Sequence, residues 1–168
     1  MKKQNLGFSI IELLIVIVIL GILAALAVGG LLASKRSANE GSAVSTLRTL
    51  HSAQMTYSTS FGMGEFAGDI GAGTTVALTT LNGRGLIDSV VASATKSGYN
   101  FVGGRETSSA ASPAQFFFSA IPISTGTLSG TGSQRFGIGT DGVVRVDPTV
   151  AAHYADAAAV LVAPAYGN

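Results

Sequence analysis

A chain of 168 residues is long enough for one ordinary domain with an appended element. Charged residues make up only 11% of it, against roughly 25% in soluble domains. The formal net charge is +1 and no basic run exists beyond Lys35-Arg36, which excludes nucleic acid as the primary partner; the absence of cysteine excludes disulfides, thiolate chemistry and cysteine metal sites.

The first residues, MKKQNLG, form a short basic leader. From Leu13 to Ala33 no charge occurs, and a helix of that length rises roughly 30 Å, the thickness of a bilayer hydrocarbon core. Lys2 and Lys3 before the run favour a cytoplasmic N-terminus, although Lys35 and Arg36 follow it. A secretory signal peptide is the first alternative, since Ala25-Leu26-Ala27 offers a small-x-small cleavage site. Against it stand the length of the apolar run, its continuation through Val28, Leu31 and Leu32, and an acid, Glu12, near its start.

Gly7-Phe8-Ser9-Ile10-Ile11-Glu12-Leu13 resembles the processing motif of the type IV pilins and type II secretion pseudopilins, as does Gly21-Ile22-Leu23-Ala24-Ala25. The resemblance is close over residues 2–28 and general in layout beyond them. It implies cleavage by a prepilin peptidase between Gly7 and Phe8, N-methylation of the Phe8 amine, and insertion in the inner membrane before assembly into a filament. Many members of that family carry a proline where this chain has Gly29-Gly30. Either choice weakens a helix, so a bend or loosening is expected at the glycine pair on passing from lipid to filament.

Residues 31–61 continue as an amphipathic helix, with Val44, Leu47, Leu50, Gln54, Tyr57 and Phe61 recurring every three or four positions. From Phe8 to Phe61 such a helix rises about 80 Å. Gly62 and Gly64 end it. Residues 62–85 read as a glycine-rich connection with a short helical turn at Val76–Leu81. Leu86–Val91 reads as another short helix, with Ile87, Val90 and Val91 inward.

Strands follow: Tyr99–Val102, Gln115–Ile123 and the pair Gln134–Ile138 and Val143–Asp147, the last two flanking an Asp141-Gly142 turn. Pro122 places the end of the second strand at an edge or a break. Residues 103–114 and 124–133 read as loops. The Ala-rich tail from Asp147 to Asn168 adds either a strand through Val160-Leu161-Val162 or a loose helix from Thr149. The expected fold is α+β and pilin-like: a long N-terminal helix, its second half packed on a small antiparallel sheet of three or four strands. The divisions are a leader at 1–7, a membrane or assembly half-helix at 8–34, an amphipathic half-helix at 35–61 and a head at 62–168.

Three positions carry the expected function. Gly7 and Phe8 flank the cleavage site, and Phe8 receives the methyl group. Glu12 costs little at the bilayer edge but becomes a buried charge once helices bundle, so it needs a cation there. The freed Phe8 amine, on the same or a neighbouring chain, supplies one and sets the register. His51 and His153 stand too far apart in sequence to suggest a paired metal site, and Asp69, Asp141 and Asp147 lack a calcium-loop spacing. No phosphate-loop pattern occurs among the glycines, and no acid–base or nucleophile pair points to an enzyme.

The reading is therefore a structural subunit without metal or cofactor. It is expected in the inner membrane as a precursor, and on the cell surface or in the periplasm once assembled. Its partners are copies of itself, the peptidase, an inner-membrane assembly platform and, before assembly, lipid. A type IV pilus subunit is the first expectation, because no calcium loop is evident; a type II secretion pseudopilin is the alternative within the class. A membrane-anchored or secreted binding domain, using its Ser/Thr/Gly-rich surface on sugars, is the alternative outside it.

Overall fold

The computed structural model describes residues 8–110, 112–126, 129–148, 150 and 152–167. One long helix, α1 (Ile10–Ser60), is followed by two short helices, α2 (Val76–Gly83) and α3 (Ser89–Ala92). Five strands come next, β1 (Thr95–Lys96), β2 (Tyr99–Glu106), β3 (Gln115–Pro122), β4 (Arg135–Gly139) and β5 (Val144–Asp147), and then α4 (Ala157–Leu161). The chain divides into two compact units, one through Lys35 and one from Arg36.

In the first unit the described part of α1 is exposed on every side, from Ile10 through Leu31. Helical structure runs unbroken through Gly29 and Gly30. A helix apolar all round is not made for one wet face and one dry face; it is made for lipid or for a protein bundle.

The second unit is an α+β fold of the pilin-like kind. Its five strands lie in sequence order, each antiparallel to the next. That is one to two more strands than the sequence reading expects. The extra one is the two-residue β1, which turns into β2 through Ser97 and Gly98, both at positive φ (48° and 73°). Two left-handed residues in a two-residue loop match the right-handed twist of the strands.

The central strand β3 is buried on both faces. Phe116, Phe118 and Ala120 join the cluster that contains Val44, Leu47 and Leu50 of α1. Phe117 points the other way and packs with Tyr154, Ala157 and Val160 of the C-terminal segment. This period-two division explains why QFFFSAIP is apolar almost throughout. Pro122 closes the strand, as expected of a residue with no N–H to donate.

Three expectations change. Strand β2 continues through Gly103-Gly104 to Glu106, where a loop was expected, paired residue for residue with β3; a Cβ at Gly103 would meet the Phe118 ring, and one at Gly104 the Ala72 carbonyl and the Phe117 ring. The helix expected at Leu86–Val91 begins only at Ser89, since Asp88 caps it through Val91 N–H (2.7 Å). Ile87 and Val91 are buried, but Val90 faces solvent. The tail forms α4 and then a bridge from Ala165 to Arg145, rather than a strand at 160–162; Thr149, where a helix was expected to begin, lies outside the described residues.

Side-chain hydrogen bonds fix α1 to its connections. Arg36 Nε donates to Gly130 O (3.2 Å), Asn39 Nδ2 to Thr131 O (2.8 Å), and Glu40 accepts from Ser133 N–H (2.8 Å). Deeper in the core, Gln54 meets both backbone groups of one residue: its Nε2 donates to Ala67 O (2.7 Å) and its Oε1 accepts from Ala67 N–H (2.8 Å). Gln54 is fully buried, so its removal leaves a donor and an acceptor without water. Gln54→Leu should destabilise the folded chain by about 2–4 kcal/mol, read as a lowered midpoint in urea unfolding in detergent micelles. A change under about 0.5 kcal/mol would show that the connection repacks freely.

Candidate functional site

The candidate site is the start of α1. Ser9 stands just before the helix, and both Glu12 N–H (3.1 Å) and Leu13 N–H (3.4 Å) point at its carbonyl. Three residues on, Glu12 turns its side chain back, and Oε2 accepts from the Ser9 backbone N–H at 3.0 Å. Ser9-Ile10-Ile11-Glu12 has the spacing of a capping box, and here the carboxylate half of that box is made. The first turn of a helix has N–H groups with no partner in the helix itself, and a negative charge there also meets the positive end of the helix dipole.

Glu12 is thus explained first within its own chain. The sequence reading gives it a role only towards a freed amine; the Ser-x-x-Glu spacing was the signal for the local role, and it went unread beside the family motif. Among the described residues no cation pairs with Glu12. Phe8 is exposed, and Gly7 lies outside the described residues.

The other polar groups singled out in the sequence are spent on the fold. Asp141 pairs with Arg145 (2.7 Å), whose hydrogen bonds hold its carboxyl below the usual range. Asp147 pairs with Arg135 (2.7 Å), and Asp69 accepts from Thr74 Oγ1 (2.7 Å). Glu65 is held low chiefly by the Ser108 hydroxyl and N–H and also by Arg105, to which it is bonded at 2.9 Å. Among the described residues no three His, Cys, Asp or Glu side chains gather around a point that could hold a metal.

The histidines stay apart in role. His51 Nε2 lies 3.3 Å from Thr140 O, linking α1 to the β4–β5 turn. His153 Nδ1 lies 3.1 Å from Ser119 Oγ. That contact has the look of a nucleophile with a base, but Ser119 is fully buried and its oxygen also accepts from Tyr154 N–H (3.0 Å). No substrate reaches it, and its task is to fasten the tail to β3.

Arg135 completes that fastening. It donates to Ala152 O (2.9 Å) and to Asp147, and its guanidinium lies 4.1 Å from the centre of the Tyr154 ring. A hollow of about 530 Å³ opens beside Arg135, Asp147, His153 and Tyr154. Arg135 and Asp147 pair with each other there, while Arg135 Nε and Tyr154 Oη are buried without a hydrogen-bond partner among the described residues.

Burial pushes the His153 imidazole below its ordinary value, and the Arg135 charge adds to this. The folded state therefore binds its proton less readily than the unfolded chain does. The stabilisation is complete above about pH 6.5, the unfolded value, and is lost as pH falls from there through the folded value. The charged groups beside His153 are Arg135 and Asp147, which are paired with each other at 2.7 Å. Hydrogen exchange of the tail amides of residues 152–166 should slow less steeply than the intrinsic rate as pH falls below about 6.5, because protection is lost there. His153→Gln should remove that pH-dependent loss of protection.

Comparisons with known proteins bear on the N-terminal part of the chain. Residues 2–33 match the prokaryotic N-terminal methylation motif. The chain is 44% identical over 52 residues to the type II secretion system core protein G of Aeromonas hydrophila, covering 31% of this chain and 36% of that protein. It is 42% identical over 52 residues to the protein of the same name from Dickeya chrysanthemi, covering 31% and 34%. The match thus spans about a third of the length of these relatives. No solved structure matches the chain significantly. Over its N-terminal part the chain thus carries the methylation motif and is similar to these secretion-system proteins.

Proposed function

We propose, from an N-terminal segment of the pilin and pseudopilin type, that the chain is a structural subunit made as an inner-membrane precursor and polymerised through α1. A prepilin peptidase cuts between Gly7 and Phe8, the new Phe8 amine is methylated, and an assembly platform draws the subunit out of the bilayer. The observation that carries this reading is an apolar helix exposed all round with one carboxylate in its first turn. Lipid satisfies such a helix before assembly, and copies of the same helix satisfy it afterwards. Identical subunits joined through a contact that does not close on itself give a helical filament.

Within that class the secretion-type filament is the better supported, since both relatives reported above are secretion proteins by name. A surface pilus is the competing product, and location separates the two: fibres sheared from intact cells and built of this chain would replace a periplasmic filament with a pilus. A soluble binding role would rest on the head alone, where Glu65–Arg105, Asp141–Arg145 and Asp147–Arg135 are paired internally.

Glu12→Ala should leave cleavage intact and lower incorporation at least about tenfold, the cost of one unmatched charge in a bundle being well above 1.4 kcal/mol. Mass spectrometry of the mature chain should begin at methylated Phe8. A mature chain beginning at Val28, or Glu12→Ala filaments in normal yield, would falsify the assembly reading.

A further inference from the structure

The hollow beside the C-terminal segment carries polar groups that the fold does not use. We propose that it is a binding site for a neutral saccharide of one or two rings.

Its volume of about 530 Å³ lies within the range of small-molecule sites. Arg135, Asp147, His153 and Tyr154 supply its polar lining, and Val162 and Pro164 belong to its apolar lining. Tyr154 is 3% exposed, yet its hydroxyl has no hydrogen-bond partner among the described residues, and neither has Arg135 Nε. Unpaired burial of such groups is costly, and folded chains mostly avoid it. The Tyr154 ring itself is well held. It lies against the Arg135 guanidinium and over Gly137, where a Cβ would come within 2.8 Å of it. The sheet thus makes room for the ring and gives its hydroxyl nothing to bind. Both unpaired atoms are closed to water, so a ligand that pairs with them parts the lining as it enters.

Charge decides the class of ligand. Arg135 and Asp147 offset each other at 2.7 Å, and burial keeps the His153 imidazole neutral at pH 7, so the hollow offers a ligand no net charge. An anion would meet Asp147 and a cation would meet Arg135. A hydroxyl avoids both conflicts, because it gives and accepts a hydrogen bond alike. It suits Tyr154 Oη, and it suits either tautomer at His153 Nε2, which has no partner among the described residues while Nδ1 stands 3.1 Å from Ser119 Oγ. Val162, 85% exposed, brings apolar surface to the same hollow. A saccharide has hydroxyls on its edge and apolar C–H groups on its face, so one molecule serves both linings. The hollow belongs to the unit from Arg36 onward, and this inference does not rest on the assembly reading.

The full chain, in micelles of a detergent without a sugar headgroup, tests it. Titration with cellobiose or with N,N′-diacetylchitobiose should shift the Tyr154 and His153 ring signals saturably, half-complete between about 0.1 and about 10 mM, and leave the His51 ring signals in place. Preference for the first marks a glucan and for the second an amino-sugar glycan; either supports the site. Affinity should change less than about twofold between about 50 and about 500 mM salt, as for an uncharged ligand. Tyr154→Phe should bind about tenfold more weakly, one hydrogen bond being lost, while its urea midpoint stays or rises, because an unpaired hydroxyl adds nothing to the fold. Val162→Asp, at an exposed position, should fold as the parent does and bind about threefold more weakly.

No saturable shift up to about 50 mM of either saccharide overturns the inference, as does unaltered binding by Tyr154→Phe. A lowered midpoint or a failure to fold in Tyr154→Phe also overturns it, showing a hydroxyl held by a buried water alone. Saturable binding of acetate or phosphate in place of both saccharides makes the hollow an anion site and overturns it as well.

Discussion

A helix apolar on every side, with a single acid in its first turn, has no stable existence in water, and the rest of this chain follows from that constraint. From Ile10 to Leu31 the apolar side chains of α1 are uncovered by the chain's own fold. At roughly 25 cal/mol for each square ångström of apolar surface, leaving them wet costs tens of kcal/mol, more than the whole stability of a typical domain. Something outside the chain must cover them. Lipid does so without any specific fit, because every direction around the helix is alike. A bundle does so with a register, and a register needs a feature that is not repeated along the helix. Glu12 is the one such feature in the run.

The same helix changes character after Lys35. Its buried positions narrow to one stripe through Val44, Leu47, Leu50 and Gln54, and its hydroxyls fold back onto its own carbonyls, as Thr49 does to Ser45 O (3.2 Å) and Thr56 to Ser52 O (3.0 Å). The buried stripe covers one face of the sheet. The other face is left to the C-terminal segment, and without cysteine that segment is held by contacts of several kinds. Ser119 binds His153 and Tyr154, Arg135 binds Ala152, and Val146 N–H donates to Pro164 O at 3.0 Å. Each is worth about 1 kcal/mol, so the fastening is distributed where a disulfide would concentrate it in one bond.

Periodicity made the helix, its buried stripe and the strands β3 to β5 readable, because a half-covered helix and a sheet each impose a spacing on the apolar residues. It failed where a residue's reason lies in another element. Gly103 and Gly104 look like loop residues in isolation; they are strand residues because they pair with Phe118 and Phe117 of β3, and a Cβ on either would meet its partner's ring. The tail has no period at all, since its path is set by Ser119 and Arg135, over 15 residues away in sequence from most of what they hold. At the candidate site the residues were legible but one of their roles was not. Glu12 is conspicuous as an acid in an apolar run, and the family motif accounts for it without the ordinary capping spacing that it also makes with Ser9.

The capping bond that Glu12 makes and the assembly role proposed for it share a cause. A carboxylate in the middle of the apolar run would be several kcal/mol worse off in lipid, and it would have no backbone donor in reach, because interior N–H groups are spent on the helix. In the first turn the N–H groups are free, the helix dipole favours negative charge, and the headgroups are near. The first turn is thus the one place where this helix can carry an acid through the bilayer at small cost. It is also the end at which a chain cut after Gly7 would gain a positive charge. An acid placed there for its own helix's sake is already beside the place where a neighbour's cation can find it, so the requirement of the single chain and the requirement of an assembly select the same position.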